Sequence, residues 1–163
     1  MPASDSLIVY FSRSGHTKDL ADLLAAHMSA AIEPCLRPPD GSEWPMGALV
    51  LRAMFRRPVD PAPISHDPSS FRILLVATPL WMGRAVPPVR GFLARNAGRF
   101  PLLAFAVSAG RCSGGPAFAD MGRLAGATPV ATLCVDDADR LSGRREAKVQ
   151  AFADRVERTR VAC

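Results

Sequence analysis

Hydroxyl side chains and a glycine crowd the segment Ser12-Arg13-Ser14-Gly15-His16-Thr17. A glycine there frees the backbone to aim N–H groups inward, and the hydroxyls of Ser12, Ser14 and Thr17 add donors. If a helix starts just beyond, its positive N-terminal end completes a cradle for a phosphate. The spacing is neither G-x-x-x-x-G-K-[ST] nor G-x-G-x-x-G, so neither the P-loop nor the dinucleotide fingerprint is present. An ordinary helix cap uses the same residue types, and on this segment alone both readings stand. A second stretch, Thr78-Pro79-Leu80-Trp81-Met82-Gly83-Arg84, sets an indole beside a glycine. The indole is either a partly buried core group or a flat wall for a planar ligand, where stacking adds about 0.5–1.5 kcal/mol beyond burial. Gly83 lets the main chain approach a ligand or reorient. A third stretch, Ser108-Ala109-Gly110-Arg111-Cys112-Ser113-Gly114-Gly115, is glycine-rich and offers main-chain hydrogen bonds to a ring system.

Each stretch follows an apolar run that reads as a strand. Leu7-Ile8-Val9-Tyr10-Phe11 is apolar throughout, as a strand buried on both faces must be. Residues 31–36 form a weaker run stopped by Arg37-Pro38-Pro39-Asp40-Gly41; residues 71–77, 102–107 and 130–135 supply three more. Helical spacing appears over 17–30 (Leu20, Leu23, Leu24, His27, Met28), after Pro87-Pro88 (Val89, Phe92, Leu93), over 116–125 (Phe118, Met121, Leu124) and over 143–160 (Val149, Phe152, Ala153, Val156). Proline suits a helix's first turn, where its missing N–H is not needed. Strands alternating with helices predict an α/β fold: an open parallel sheet covered on both faces, with ligands at the carboxyl ends of the strands. Segment 37–70 is irregular and proline-rich, with a short helix expected over 47–57 (Leu49, Val50, Ala53, Met54). No linker or internal repeat divides the chain, so a single domain over 1–163 is expected.

Composition narrows the classes. The 163 residues are 48% hydrophobic, enough for a sizeable core, with a net charge of +5. No apolar run reaches the roughly 18 residues that span a bilayer, and Met1-Pro2-Ala3-Ser4-Asp5-Ser6 lacks the basic start of a signal peptide. Cys35, Cys112, Cys134 and Cys163 form no C-x-x-C pair, and with His16, His27 and His66 they supply no zinc-like cluster, so no metal is expected. The cysteines read as free reduced thiols, which points to the cytoplasm. A hydrolase elbow G-x-S-x-G is absent: Gly110-Arg111-Cys112-Ser113-Gly114 carries its serine one place late. A phosphatase-type Cys followed six positions on by Arg is also missing, since Phe118 stands there. The arginines are dispersed without aromatic interleaving, which argues against nucleic acid.

The strand and loop from Leu7 to Thr17 resemble the amino-terminal pattern of flavodoxins, an apolar strand leading into S-x-[ST]-G-x-T. The run Ala77-Thr78-Pro79-Leu80-Trp81-Met82-Gly83, with Pro87-Pro88-Val89-Arg90-Gly91-Phe92-Leu93 after it, resembles the second flavin-contacting loop and helix of flavodoxin-like proteins. The resemblance covers about residues 7–160 and implies a flavodoxin-like three-layer sandwich, a five-stranded parallel sheet of order 2-1-3-4-5. It also implies non-covalent FMN. Ser12, Arg13 (through its backbone), Ser14, Gly15, His16 and Thr17 would hold the phosphate. Pro79, Leu80, Trp81, Met82 and Gly83 would line one side of the isoalloxazine. Ser108, Ala109 and Gly110 would meet its polar edge. By the same resemblance, the Met82–Gly83 peptide could turn to accept a hydrogen bond from the reduced flavin N5.

Two features depart from that pattern. Electron-shuttle flavodoxins are typically acidic, whereas no Asp or Glu lies between Asp67 and Asp120, where Arg72, Arg84, Arg90, Arg95, Arg99 and Arg111 fall. These arginines are either solvated or form a positive rim for an anionic substrate, a nucleotide cofactor or an acidic partner. The third stretch also lacks an aromatic, so the flavin face opposite Trp81 is open unless Trp44 or residues 46–57 cover it. The expected function is electron transfer through bound flavin. The alternatives are an NAD(P)H- or quinone-dependent reductase, and a flavodoxin-like binding module without flavin. Expected partners are a redox protein or a small acceptor such as a quinone.

Overall fold

The computed structural model describes residues 4–34 and 37–162. Cys35, Leu36 and Cys163 lie outside the described residues. The apolar runs form strands β1 (Ser6–Tyr10), β2 (Ala31–Pro34), β3 (Ile73–Trp81), β5 (Leu102–Ala109) and β6 (Ala131–Asp136). They pair in parallel in the order β2-β1-β3-β5-β6. This is the expected 2-1-3-4-5 order of five parallel strands. A sixth strand, β4 (Arg84–Ala85), lies off that path and pairs antiparallel to β3. Sequence reading missed it because two residues carry no periodicity.

The chain leaves β1 toward one edge and returns to β3 on β1's other side. The carboxyl ends of β1 and β3 therefore flank a crevice where no crossover closes over the sheet. Helices α1 (His16–Met28), α3 (Pro87–Arg95), α4 (Gly115–Ala125), α5 (Asp137–Ser142) and α6 (Arg144–Ala162) complete the frame. Strand alternation divides the core into two layers. Leu7, Val9, Leu74, Val76, Phe105 and Val107 pack with Val89, Phe92 and Leu93 of α3 and Met121 of α4. Ile8, Leu75, Ala77, Ala104 and Ala106 pack with Leu20 and Leu24 of α1 and Val149, Phe152 and Val156 of α6. Each fully buried Val, Leu, Ile or Phe contributes roughly 1.5–3 kcal/mol, which is why the central strands tolerate almost no polar residue.

Segment 37–70 contains α2 (Met46–Met54) and a 3₁₀ turn, Pro68–Ser70. Two contacts fix it. The Val59 N–H donates to the Pro87 carbonyl (3.2 Å), and the Val59 carbonyl lies where a Cβ on Gly91 would stand, 1.8 Å away. Only glycine at 91 permits that approach. At the other end Glu33 accepts from the Ser65 N–H (2.9 Å) and pairs with His66 Nδ1 (2.5 Å). Burial pushes the Glu33 carboxyl up, but the bonds from Ser65 and His66 outweigh it and hold it below its ordinary value.

The helix expected over 143–160 forms as α6, and a further short helix, α5, precedes it across Gly143, whose φ is 74°. Asp136 and Asp139 form a reciprocal capping box at the start of α5. The D-x-x-D spacing was the available signal. No helix among the described residues is long and apolar enough to cross a membrane.

Candidate functional site

The first loop turns on Gly15, whose φ of 95° only glycine adopts without strain. Its N–H donates to Ser12 Oγ (3.1 Å), closing the loop, and its carbonyl accepts from the Asp19 N–H (2.9 Å), starting α1. No side chain caps α1. The helix's first N–H groups thus face outward with the positive end of its dipole, an arrangement suited to an anion. Ser12 accepts from Gly15 and keeps its O–H to donate outward. Thr17 is buried, and its hydroxyl shares a 2.7 Å hydrogen bond with that of Ser108. If Ser108 donates in that bond, the Thr17 proton is free for an anion. Arg13, Ser14 and His16 are exposed at the loop's rim. The Arg13 guanidinium donates to the Trp44 carbonyl (3.3 Å). That bond brings segment 37–44 against the loop and leaves a cavity of about 300 Å³ lined by Phe11, Ser12, Arg13, Arg37, Pro38 and Trp44, among others.

Pro79, Leu80 and Trp81, expected in a loop, are instead the last residues of β3. The strand extends because β5 runs alongside it as far as the pair Pro79–Ser108, and β4 folds back on Leu80 and Trp81. Only Met82 and Gly83 form the turn. Both have positive φ, 52° and 74°. A two-residue hairpin of this kind demands that conformation, and a side chain at its first position costs about 1–2 kcal/mol. Met82 is exposed. Trp81 is half-buried and meets the Phe11 ring edge-on, centroids 6.1 Å apart. Phe11, the last apolar residue of the first run, thereby sets the indole's orientation.

Ser108 and Ala109, also expected in a loop, end β5, and the loop proper begins at Gly110. Cys112 and Cys134 are joined by a disulfide. This overturns the free-thiol expectation for that pair and, with it, the cysteine argument for a reducing compartment. Nothing in a 22-residue spacing announces the bond; adjacent parallel strands bring the two Cα atoms to 5.9 Å. The Cys112 N–H donates to Asp136 Oδ2 (3.4 Å). Asp139 stands behind, buried, bonded by Lys148 (2.5 Å) and paired with Arg144 (3.4 Å). The Lys148 ammonium holds its carboxyl below the usual range, against the burial that would raise it.

The acid-free interval does not form one rim. Arg90 is buried against Asp120, which Arg123 also contacts. Arg72 precedes β3, Arg95 ends α3 and Arg99 follows it, all at the amino ends of the strands. Arg84 and Arg111 are the members placed beside the second and third loops.

No protein-family model matches the sequence, and no curated protein does. Solved structures share the architecture. A flavoprotein from Lactobacillus acidophilus NCFM, crystallised in complex with FMN, matches with a TM-score of 0.64 at 17% identity, covering 86% of this chain and 98% of that one. A short-chain flavodoxin associated with a bacterial microcompartment matches with a TM-score of 0.55 at 14% identity, covering 95% and 97%. A flavone reductase matches with a TM-score of 0.54 at 11% identity, covering 91% of this chain and 62% of that one. Strand order, crevice and likeness agree: the chain has the flavodoxin-like α/β fold.

Proposed function

We propose that this chain is an FMN-binding redox protein that transfers electrons through the flavin. The observation that carries the reading is the uncapped start of α1 behind Gly15, ringed by the hydroxyls of Ser12, Ser14 and Thr17, at the crevice of a flavodoxin-like sheet. These groups fit a phosphate monoester: main-chain N–H donors, hydroxyls and a helix N-terminus, with no carboxylate among residues 12–18 to repel it. Arg13 and His16 stand at the rim. Trp81 and Leu80 would line one side of the ring. Ser108, Ala109 and the Gly110 main chain would meet its polar edge, with Met82 and Gly83 at the turn. The flavin supplies one- and two-electron chemistry when bound; the protein supplies placement and electrostatics. Gly83 leaves the turn's central peptide free to reorient.

A reductase is the second reading. No aromatic occurs in residues 108–115, so that side leaves access for a hydride donor or a quinone. The likeness to a flavone reductase supports the same reading. FMN is expected to bind the purified protein stoichiometrically and to shift its visible absorption bands. A colourless protein that cannot be reconstituted would overturn the flavin assignment. With holo-protein in hand, stopped-flow bleaching by NADPH no faster than that of free FMN would exclude the NADPH-dependent reductase.

A further inference from the structure

Helix α2 buries a single residue, Leu49, and turns an apolar face outward. Val50, Leu51, Met54 and Phe55 are 40%, 55%, 59% and 66% exposed. At about 100° per residue these four cover an arc of roughly 140°, centred opposite Leu49. A short helix that is apolar all round is ordinarily covered on all sides. Between Glu43 and Asp60 there is no acidic, hydroxyl or amide side chain, and the only charges are Arg52, Arg56 and Arg57, all exposed. The chain reverses at Arg56, whose φ is 56°, with the Arg57 N–H bonded to the Arg52 carbonyl (2.8 Å). The three cations therefore gather at the carboxyl-terminal end of the helix, beside the apolar face.

We propose that this face docks on an anionic lipid surface, with Leu51, Met54 and Phe55 entering the interface and the arginines meeting the headgroups. Charge complementarity selects that occupant. A second copy, paired about a two-fold axis, would set the same arginines against each other. A protein partner would ordinarily find hydrogen-bonding groups within such a patch, and α2 offers none besides the arginines. An anionic bilayer asks only for apolar side chains flanked by cations. The inference stands independently of the flavin.

The test is co-sedimentation of the full chain with phosphatidylcholine vesicles, with and without about 30 mol % phosphatidylglycerol, at low salt and at about 0.5 M salt. Binding is expected to the anionic vesicles, to be weakened by salt, and to be lost in the Leu51→Asp/Phe55→Asp variant. The Arg52→Gln/Arg56→Gln/Arg57→Gln variant is expected to bind roughly 100-fold more weakly. All five substituted residues are exposed, and unchanged circular dichroism and thermal midpoints would show the variants folded. Equal binding to neutral vesicles, or undiminished binding by folded aspartate variants, would overturn the proposal. So would a dimer in light scattering that the aspartate variant dissolves, which would give the face to a second copy. A monomer that ignores both vesicles would give it to an acidic protein partner, and would also overturn the proposal.

Discussion

The first and third loops sit on opposite sides of β3 and are built in opposite ways. The first is local. Gly15 closes it onto Ser12 three residues away, and α1 starts from the same glycine. The third is held from a distance: a covalent bond reaches from Cys112 to Cys134, and the Cys112 N–H reaches Asp136. One hydrogen bond, Thr17 to Ser108, joins the two sides. A loop whose shape comes from its own backbone is sensitive to backbone changes. A loop tied to its neighbours is sensitive to the ties.

Cutting the strongest tie tests this first. Cys112→Ser with Cys134→Ser is expected to lower stability by about 3 kcal/mol for a bridge spanning 22 residues, read as the urea midpoint. Dithiothreitol should do the same to the wild type and nothing further to the variant. A backbone change should then separate the two loops. Gly15→Val forces a branched residue into the left-handed region and is expected to cost about 1–2 kcal/mol in stability and tenfold or more in FMN affinity by fluorescence titration. Gly110→Ala is expected to do little, since Gly110 lacks a positive φ and a Cβ there meets only Asp137 Oδ2 at 3.7 Å. Equal losses from the two glycine variants would break the comparison. Removing the shared bond with Ser108→Ala should cost about 1 kcal/mol and loosen both loops in hydrogen exchange. Met82→Gly, at the strained turn between them, should instead raise stability by up to about 1 kcal/mol. The last effect is pH. The Asp139 carboxyl titrates lower folded than unfolded, so its contribution is present above the ordinary carboxylate pKa and fades as pH falls through the folded value. Asp139→Asn should flatten the acid limb of stability measured by urea unfolding.

The parallel strands were legible because strands buried on two faces must be apolar throughout, and runs such as Leu7 to Phe11 are. The first loop was legible because its residues act on their own neighbours. The extension of β3 through Trp81 was not, because Pro79 and a following turn signal argue for a loop, and only the pairing of Pro79 with Ser108 and of Leu80 and Trp81 with β4 keeps that stretch in strand form. Arg90 was read with the rim arginines because no local rule shows that Asp120, thirty residues on, would be buried beside it.

By itself the sequence determined the alternation of strands and helices and the Gly15 turn that starts α1, since each rests on periodicity or on contacts within a few residues, while the order of the strands was implied by the flavodoxin resemblance. Only the tertiary structure decided the Cys112–Cys134 bond, the Thr17–Ser108 link, the scattering of the arginines and the outward turn of α2. Those depend on which distant segments meet at the strand ends, and loop closure over tens of residues leaves no mark in local spacing.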